Sequence, residues 1–170
     1  GYKVKATVRD LSRTNKLNQT LLNGLEKHQG KSDLSVDWQV TNLSSDEGWD
    51  EAMAGCDYVL HVASPIAMQL PKDEDEMVKP AVEGTLRVLK AASKAGVKRV
   101  VVTSSVAAIM YGTDKEGIFN EEDWTDPKSK TTNVYAKSKT LAEKAAWEFI
   151  EKDNSGMELS TVLPAMVFGP

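Results

Sequence analysis

The hydrophobic period of this chain switches repeatedly between two and about 3.6 residues, which restricts it to strands alternating with helices. Lys3–Val8 alternates and predicts a strand ending at Arg9. Residues 12–28 carry Leu17, Leu21, Leu22 and Leu25 at helical spacing, with Ser12 as the expected cap. Leu34, Val36, Trp38 and Val40 alternate strictly and predict a second strand. A short helix over 46–54 turns Trp49, Ala52 and Met53 inward. Tyr58–Ala63 is a continuous apolar run after Gly55, the pattern of a strand buried on both faces. Residues 64–72 contain Pro65 and Pro71 and read as a loop. Met77, Val78, Ala81, Val82, Leu86, Leu89 and Ala92 predict a helix over 73–95, kinked at Pro80 or starting there, and ended by Gly96. Then come a strand Arg99–Ser104, an irregular stretch 106–132, a helix 133–153 and a strand Glu158–Leu163.

This order implies parallel β-α units in a doubly wound α/β sheet. Such sheets place ligands at the carboxyl ends of their strands. Here those ends are Arg9, Asn42, Ala63-Ser64-Pro65, Ser104-Ser105 and Pro164. With 41% hydrophobic residues in 170, the chain suits a single domain with a real core. A net charge of -4 gives no electrostatic case for nucleic acid or an anionic membrane. Cys56 is the one cysteine, so no internal disulfide framework exists, and a reducing, cytoplasmic setting is expected. The longest apolar run, Val100–Tyr111, is broken by Thr103, Ser104 and Ser105 and is too short to span a bilayer. Asn18-Gln19-Thr20 and Asn42-Leu43-Ser44 match the glycosylation pattern, and with no secretory segment visible they read as chance matches.

Tyr135 and Lys139 lie four apart at the start of the 133–153 helix, hence on one face. A phenol beside an ammonium is a proton donor, because the positive charge favours the phenolate. Tyr111 and Lys115 share the spacing, but Gly112 and Asp114 between them predict a loop. Asp73-Glu74-Asp75-Glu76 reads as an acidic first helical turn that complements the helix dipole rather than as a cation site, and no metal is expected. His61, between Leu60 and Val62, reads as a core histidine, and His28 as a helix-end or solvated residue. Met68 and Met110 read as core filling or as substrate contacts.

Six segments, in order, resemble the extended short-chain dehydrogenase/reductase superfamily. They are Ala6–Asp10, Gly55–Pro65, Pro80–Thr85, Lys98–Ser105, Tyr135–Glu143 and Pro164–Pro170. Within it the chain is similar to the branch of dihydroflavonol reductases, cinnamoyl-CoA reductases and NADPH-dependent aldehyde/ketone reductases. Tyr135–Lys139 lacks the cinnamoyl-CoA reductase style of signature, and Thr140–Trp147 looks more like dihydroflavonol and microbial carbonyl reductases. The resemblance implies a dinucleotide-binding domain over 1–170 that is incomplete at both ends. The family's opening strand and Gly-rich turn are missing before Gly1, and its C-terminal substrate region after Pro170. The missing strand would be central, beside the strand after Lys3 and the one after Asp57. We therefore expect residues 1–170 alone to hold a dinucleotide poorly and to be poorly stable.

By the same resemblance the reaction is reduction of a small aldehyde or ketone with NADP(H). Tyr135 gives the proton, Lys139 supports it and bonds the nicotinamide ribose, and Ser105 orients the carbonyl. Ser104 is the alternative serine, since strand alternation puts the two on opposite sides. Arg9 and Lys16 match positions for the 2′-phosphate. Asn42-Leu43 falls where relatives have Asp-Leu lining the adenine. Val62, Ala63 and Ser64 run along the ribose and nicotinamide, and Pro164 and Val167 touch the nicotinamide end. Residues 66–71 and 111–132 border the substrate. A nucleotide-sugar epimerase or dehydratase and a noncatalytic dinucleotide sensor remain alternatives. The Arg9 signal argues against the first, and the complete Ser-Tyr-Lys set against the second.

Overall fold

The computed structural model of this chain describes residues 2–30, 35–65 and 71–168. Leu34, Met68 and the 66–70 part of the expected substrate border lie outside these residues, as does Gly169-Pro170. The elements follow the expected alternation. They are β1 (Val4–Val8), a 3₁₀ turn (Leu11–Arg13), α1 (Thr14–Gln29), β2 (Val36–Val40), α2 (Trp49–Met53) and β3 (Tyr58–His61). After them come α3 (Asp75–Lys94), β4 (Arg99–Thr103), a 3₁₀ turn (Val106–Ala108), α4 (Val134–Lys152) and β5 (Glu158–Val162).

Every strand pair is parallel, but the strands fall into two groups, β1-β2 and β3-β4-β5. Among the described residues no ladder joins β1 to β3. The break lies between the two strands that flank the one expected to be missing. In a doubly wound sheet of order 3-2-1-4-5-6 it is the position of the first strand. The two groups are tied together elsewhere. Lys5 Nζ donates from β1 to the carbonyls of Ala54 (2.7 Å) and Glu51 (3.2 Å) at the end of α2. α2 in turn buries Trp49, Ala52 and Met53 against α3, as their spacing predicts.

The core lies between the three-stranded sheet and the α3–α4 pair. Val88, Leu89 and Ala92 of α3, Val100 and Val102 of β4, and Ala146 of α4 are its centre. Alanines on the facing sides of α3 and α4 (Ala81, Ala91, Ala92; Ala136, Ala142, Ala146) are buried, so the two helices approach closely. These helices cover one face of the sheet only. The expectation that Tyr58–Ala63 is buried on both faces is therefore corrected. Val59 and His61 point into the core side, while Tyr58, Leu60 and Val62 are 61%, 74% and 65% exposed.

One helix start differs from expectation, and the alternatives at Pro80 are decided. Asp10, not Ser12, caps the first turn; its carboxylate accepts the Ser12 N–H at 2.8 Å and the Ser12 hydroxyl at 2.7 Å. A 3₁₀ turn results before α1 begins at Thr14. Pro80 neither starts nor ends α3, which runs from Asp75 straight through it. The Glu76 carbonyl that loses its helical donor at Pro80 belongs to an exposed residue, where solvent is within reach. The acidic run behaves as predicted. Asp75 and Glu76 occupy the first turn, and Asp73 accepts the Asp75 N–H at 3.0 Å. No metal-binding cluster of His, Cys, Asp or Glu exists among the described residues. None of the described helices is long and apolar enough to cross a membrane.

Candidate active site

α4 begins where Asn133 caps it, its side-chain oxygen accepting the Ala136 N–H at 2.9 Å. This fixes the first turns against the carboxyl end of β4. Lys139 is buried there and donates from Nζ to the Thr103 carbonyl at 3.2 Å. Tyr135, one turn earlier, is half-buried. Ser104 and Ser105 follow Thr103 directly, and both are buried. The Ser104 N–H bonds the Val162 carbonyl (2.8 Å) and the Val106 N–H bonds the Pro164 carbonyl (3.1 Å), so the ends of β4 and β5 are held together.

The two serines differ in how their hydroxyls are used. Ser104 donates its proton to Glu143 Oε2. Ser105 oxygen accepts the Ala107 N–H at 3.2 Å and caps the 3₁₀ turn, and among the described residues its own proton engages no protein group. A narrow cleft is lined by His61, Ala63, Ser64, Ser104, Lys139 and Glu143, with Thr85 of α3 at its side. Burial pushes the Lys139 ammonium below the usual lysine range, and the Glu143 carboxylate opposes that shift. Burial, with the Lys139 charge as a smaller cause, lowers His61 to about 4, so it is neutral at pH 7.

The expected nucleotide-binding residues sit at the strand ends, as the parallel topology requires. Arg9 and Lys16 are exposed, at the end of β1 and on the first turn of α1. None of the ion pairs among the described residues involves either. Asp10, the acid next to Arg9, is turned to Ser12 instead, and the Ser12 bonds hold its carboxyl below the usual carboxylate range. Asn42 is exposed, and its side-chain oxygen accepts the Ser44 N–H at 3.0 Å. Leu43 is half-buried against Gly84 of α3, where a Cβ would lie 2.9 Å from Leu43 Cβ. Val62 is exposed; Ala63 and Ser64 join the cleft. Pro164 is half-buried beside Val106, whereas Val167 is 82% exposed and is not among the residues that line the cleft.

Sequence reasoning missed Glu143. It is 5% exposed, on the same helix face as Tyr135 and Lys139. The available signal was a carboxylate inside the stripe Leu141, Ala142, Ala145, Ala146 and Phe149. The loop reading of Tyr111–Lys115 holds. Gly112 has φ 69°, and a Cβ there would lie 2.6 Å from Ser129 Cβ. A larger groove of about 460 Å³ runs between α2 and α3, away from Tyr135. It is open, and most of its charges are paired, Arg87 with Asp46 and Glu83, and Lys94 with Asp50.

A family model described as the 3-beta hydroxysteroid dehydrogenase/isomerase family matches residues 6–170. A dihydroflavonol 4-reductase of Arabidopsis thaliana is 38% identical over 176 residues, covering 100% of this chain and 44% of the relative. An anthocyanidin reductase ((2S)-flavan-3-ol-forming) of Vitis vinifera is 40% identical over 177 residues, covering 99% of this chain and 50% of the relative. Thus the chain spans about half the length of these curated relatives. Among solved structures, yeast methylglyoxal/isovaleraldehyde reductase Gre2 complexed with NADPH is similar at a TM-score of 0.80 and 32% identity. That match covers 99% of this chain and 52% of the other. Gre2 from Candida albicans, also in complex with NADPH, gives 0.82 at 32% identity, covering 100% and 52%.

Proposed function

We infer function from one premise: this chain belongs to the 3-beta hydroxysteroid dehydrogenase/isomerase family. The whole protein is an oxidoreductase that reduces a small aldehyde or ketone to the alcohol, with NADPH as its cofactor. The observation that carries this reading is the seating of the α4 face against the end of β4. It buries Lys139, one helical turn on from Tyr135, against the strand end that continues into Ser104 and Ser105. The names of the relatives agree: the curated ones are reductases, and the two Gre2 structures hold NADPH.

The residues present suit this cofactor. Arg9 and Lys16 offer exposed cations without acidic partners among the described residues, which a 2′-phosphate would occupy. An acid at the end of β1 would favour the ribose hydroxyls of NADH instead. Asn42 and Leu43 would flank the adenine. Val62, Ala63 and Ser64 would run along the ribose and nicotinamide, with Pro164 and Val167 at the nicotinamide end. When bound, NADPH supplies the hydride.

The chain's own groups do the rest. As the carbonyl carbon becomes tetrahedral, negative charge gathers on its oxygen and must meet donors. Tyr135 transfers its phenolic proton to that oxygen, so C=O becomes CH–OH and the phenol becomes phenolate. The Lys139 ammonium stabilises the phenolate by its charge. Ser105 holds the carbonyl oxygen by a hydrogen bond. It is preferred over Ser104 because the Ser104 proton is committed to Glu143. A hydroxyl that accepts a bond, as Ser105 does from Ala107, is also the stronger donor.

The test is NADPH oxidation by the whole protein with simple aldehydes and ketones, run against turnover of UDP-sugars. We expect carbonyl-dependent oxidation of NADPH and no sugar turnover. Sugar turnover without net NADPH oxidation contradicts this reading.

A further inference from the structure

Glu143 is a buried acid for which proton transfer by Tyr135 has no direct use. It lies one turn beyond Lys139 and two beyond Tyr135, so all three occupy one face of α4. Its carboxylate is spanned on both sides. Ser104 donates to Oε2 from the end of β4, and Trp147 Nε1 donates to Oε1 at 3.4 Å from the next turn. A buried carboxylate carries a desolvation cost that a salt-free core position would avoid. A Glu at this place therefore needs a local return, and two are visible. Ser104, held by Glu143, ties α4 to the strand end that continues into Ser105. The Glu143 carboxyl also lines the same cleft as Lys139, whose charged form burial disfavours.

We propose that Glu143 is a positioning residue for the Tyr135–Lys139 pair, setting an acidic side chain in the cleft that Lys139 lines and locking α4 to the end of β4 through Ser104. The consequence for catalysis rests on the reductase reading; the effect on Lys139 does not. Among the described residues the titratable groups around Lys139 are few. β3 presents His61, which is neutral; α4 presents Glu143 and Tyr135. β4 contributes only the Thr103 carbonyl and Ser104, and α3 only Thr85. Glu143 is thus the one acidic residue in this set.

The experiment uses the whole protein with ¹³Cε-labelled lysine. Lys139 is followed through pH by NMR and assigned by its loss in Lys139→Arg. We expect wild-type Lys139 to titrate below the exposed lysines. In Glu143→Gln, which keeps the shape, its midpoint falls by about one pH unit further. In Glu143→Asp, which keeps the charge, it stays above the Gln value. The alkaline limb of kcat shifts with it, since turnover needs the ammonium. A folded Glu143→Gln whose Lys139 midpoint equals wild type overturns the proposal. Should Glu143→Gln not fold, Ser104→Ala removes the anchor and keeps the carboxylate. Its Lys139 midpoint is expected to fall by a smaller step, and an unmoved midpoint overturns the proposal equally. A wild-type protein inert toward every carbonyl would sink the reductase reading while leaving the Lys139 titration readable.

Discussion

Residues at the site are set by what surrounds their charges. His61 shows this most simply. It is buried beside Lys139 and titrates near 4 rather than 6.5. Its folded value is depressed, so between pH 6.5 and 4 the unfolded chain binds a proton that the folded chain does not. The stability it contributes is complete above pH 6.5 and is lost as pH falls toward 4, a swing of about 3 kcal/mol. We expect melting temperature to drop across that window and His61→Asn to flatten the drop; a parallel curve for the variant contradicts the assignment. Arg9 is governed by the opposite circumstance. It is exposed with no acid engaging it among the described residues, because Asp10 serves as a cap. Arg9→Asp is expected to weaken NADPH binding at least about tenfold while NADH binding holds or improves, as measured by fluorescence titration. Equal losses for both cofactors would remove Arg9 from the phosphate.

Elements are placed by close approach as much as by hydrophobic pattern. Gly84 lets α3 meet Leu43, and an added methyl would sit 2.9 Å from Leu43 Cβ and 3.0 Å from its Cδ2. Alanine in a helix interior gains up to about 1 kcal/mol over glycine. Overpacking costs about 1–3 kcal/mol, and here it wins, because Leu43 Cβ is fixed to the backbone. Gly84→Ala is expected to lower the melting temperature by several degrees and to weaken NADPH binding through the displaced Leu43. A stabilised variant would contradict this. The existence and order of the elements were legible because each carries its own period, from Val4 to Val162. The 3₁₀ turn at Leu11–Arg13 was not, because Asp10 and Ser12 are both plausible caps until the backbone is known. The site was legible in part: Tyr135, Lys139 and the two serines stand out by type and spacing. Glu143 was hidden, since its partner Ser104 is 39 residues away and a helical glutamate otherwise reads as solvated.

At the scale of the molecule, the organising fact is an α/β sheet split between β1 and β3, with one face of β3 open. Tyr58, Leu60 and Val62 put apolar surface into water on that face, and both flanking strands leave ladder groups unpaired. Parallel strands are otherwise found covered on both faces. We expect residues 1–170, expressed alone, to bind a hydrophobic dye and to melt without a sharp transition; a cooperative melt together with tight NADPH binding would contradict this. The same architecture gathers the parallel strand ends that carry Ser64, Ser105 and Pro164 along one edge, where α4 begins. The central claim is that this edge delivers a proton from Tyr135 to a carbonyl oxygen. The most direct measurement is turnover and NADPH affinity of the whole protein with Tyr135→Phe, which removes one oxygen atom. The account predicts that turnover falls at least about a thousandfold, with the NADPH dissociation constant within about twofold of wild type. Turnover retained in that variant would contradict it.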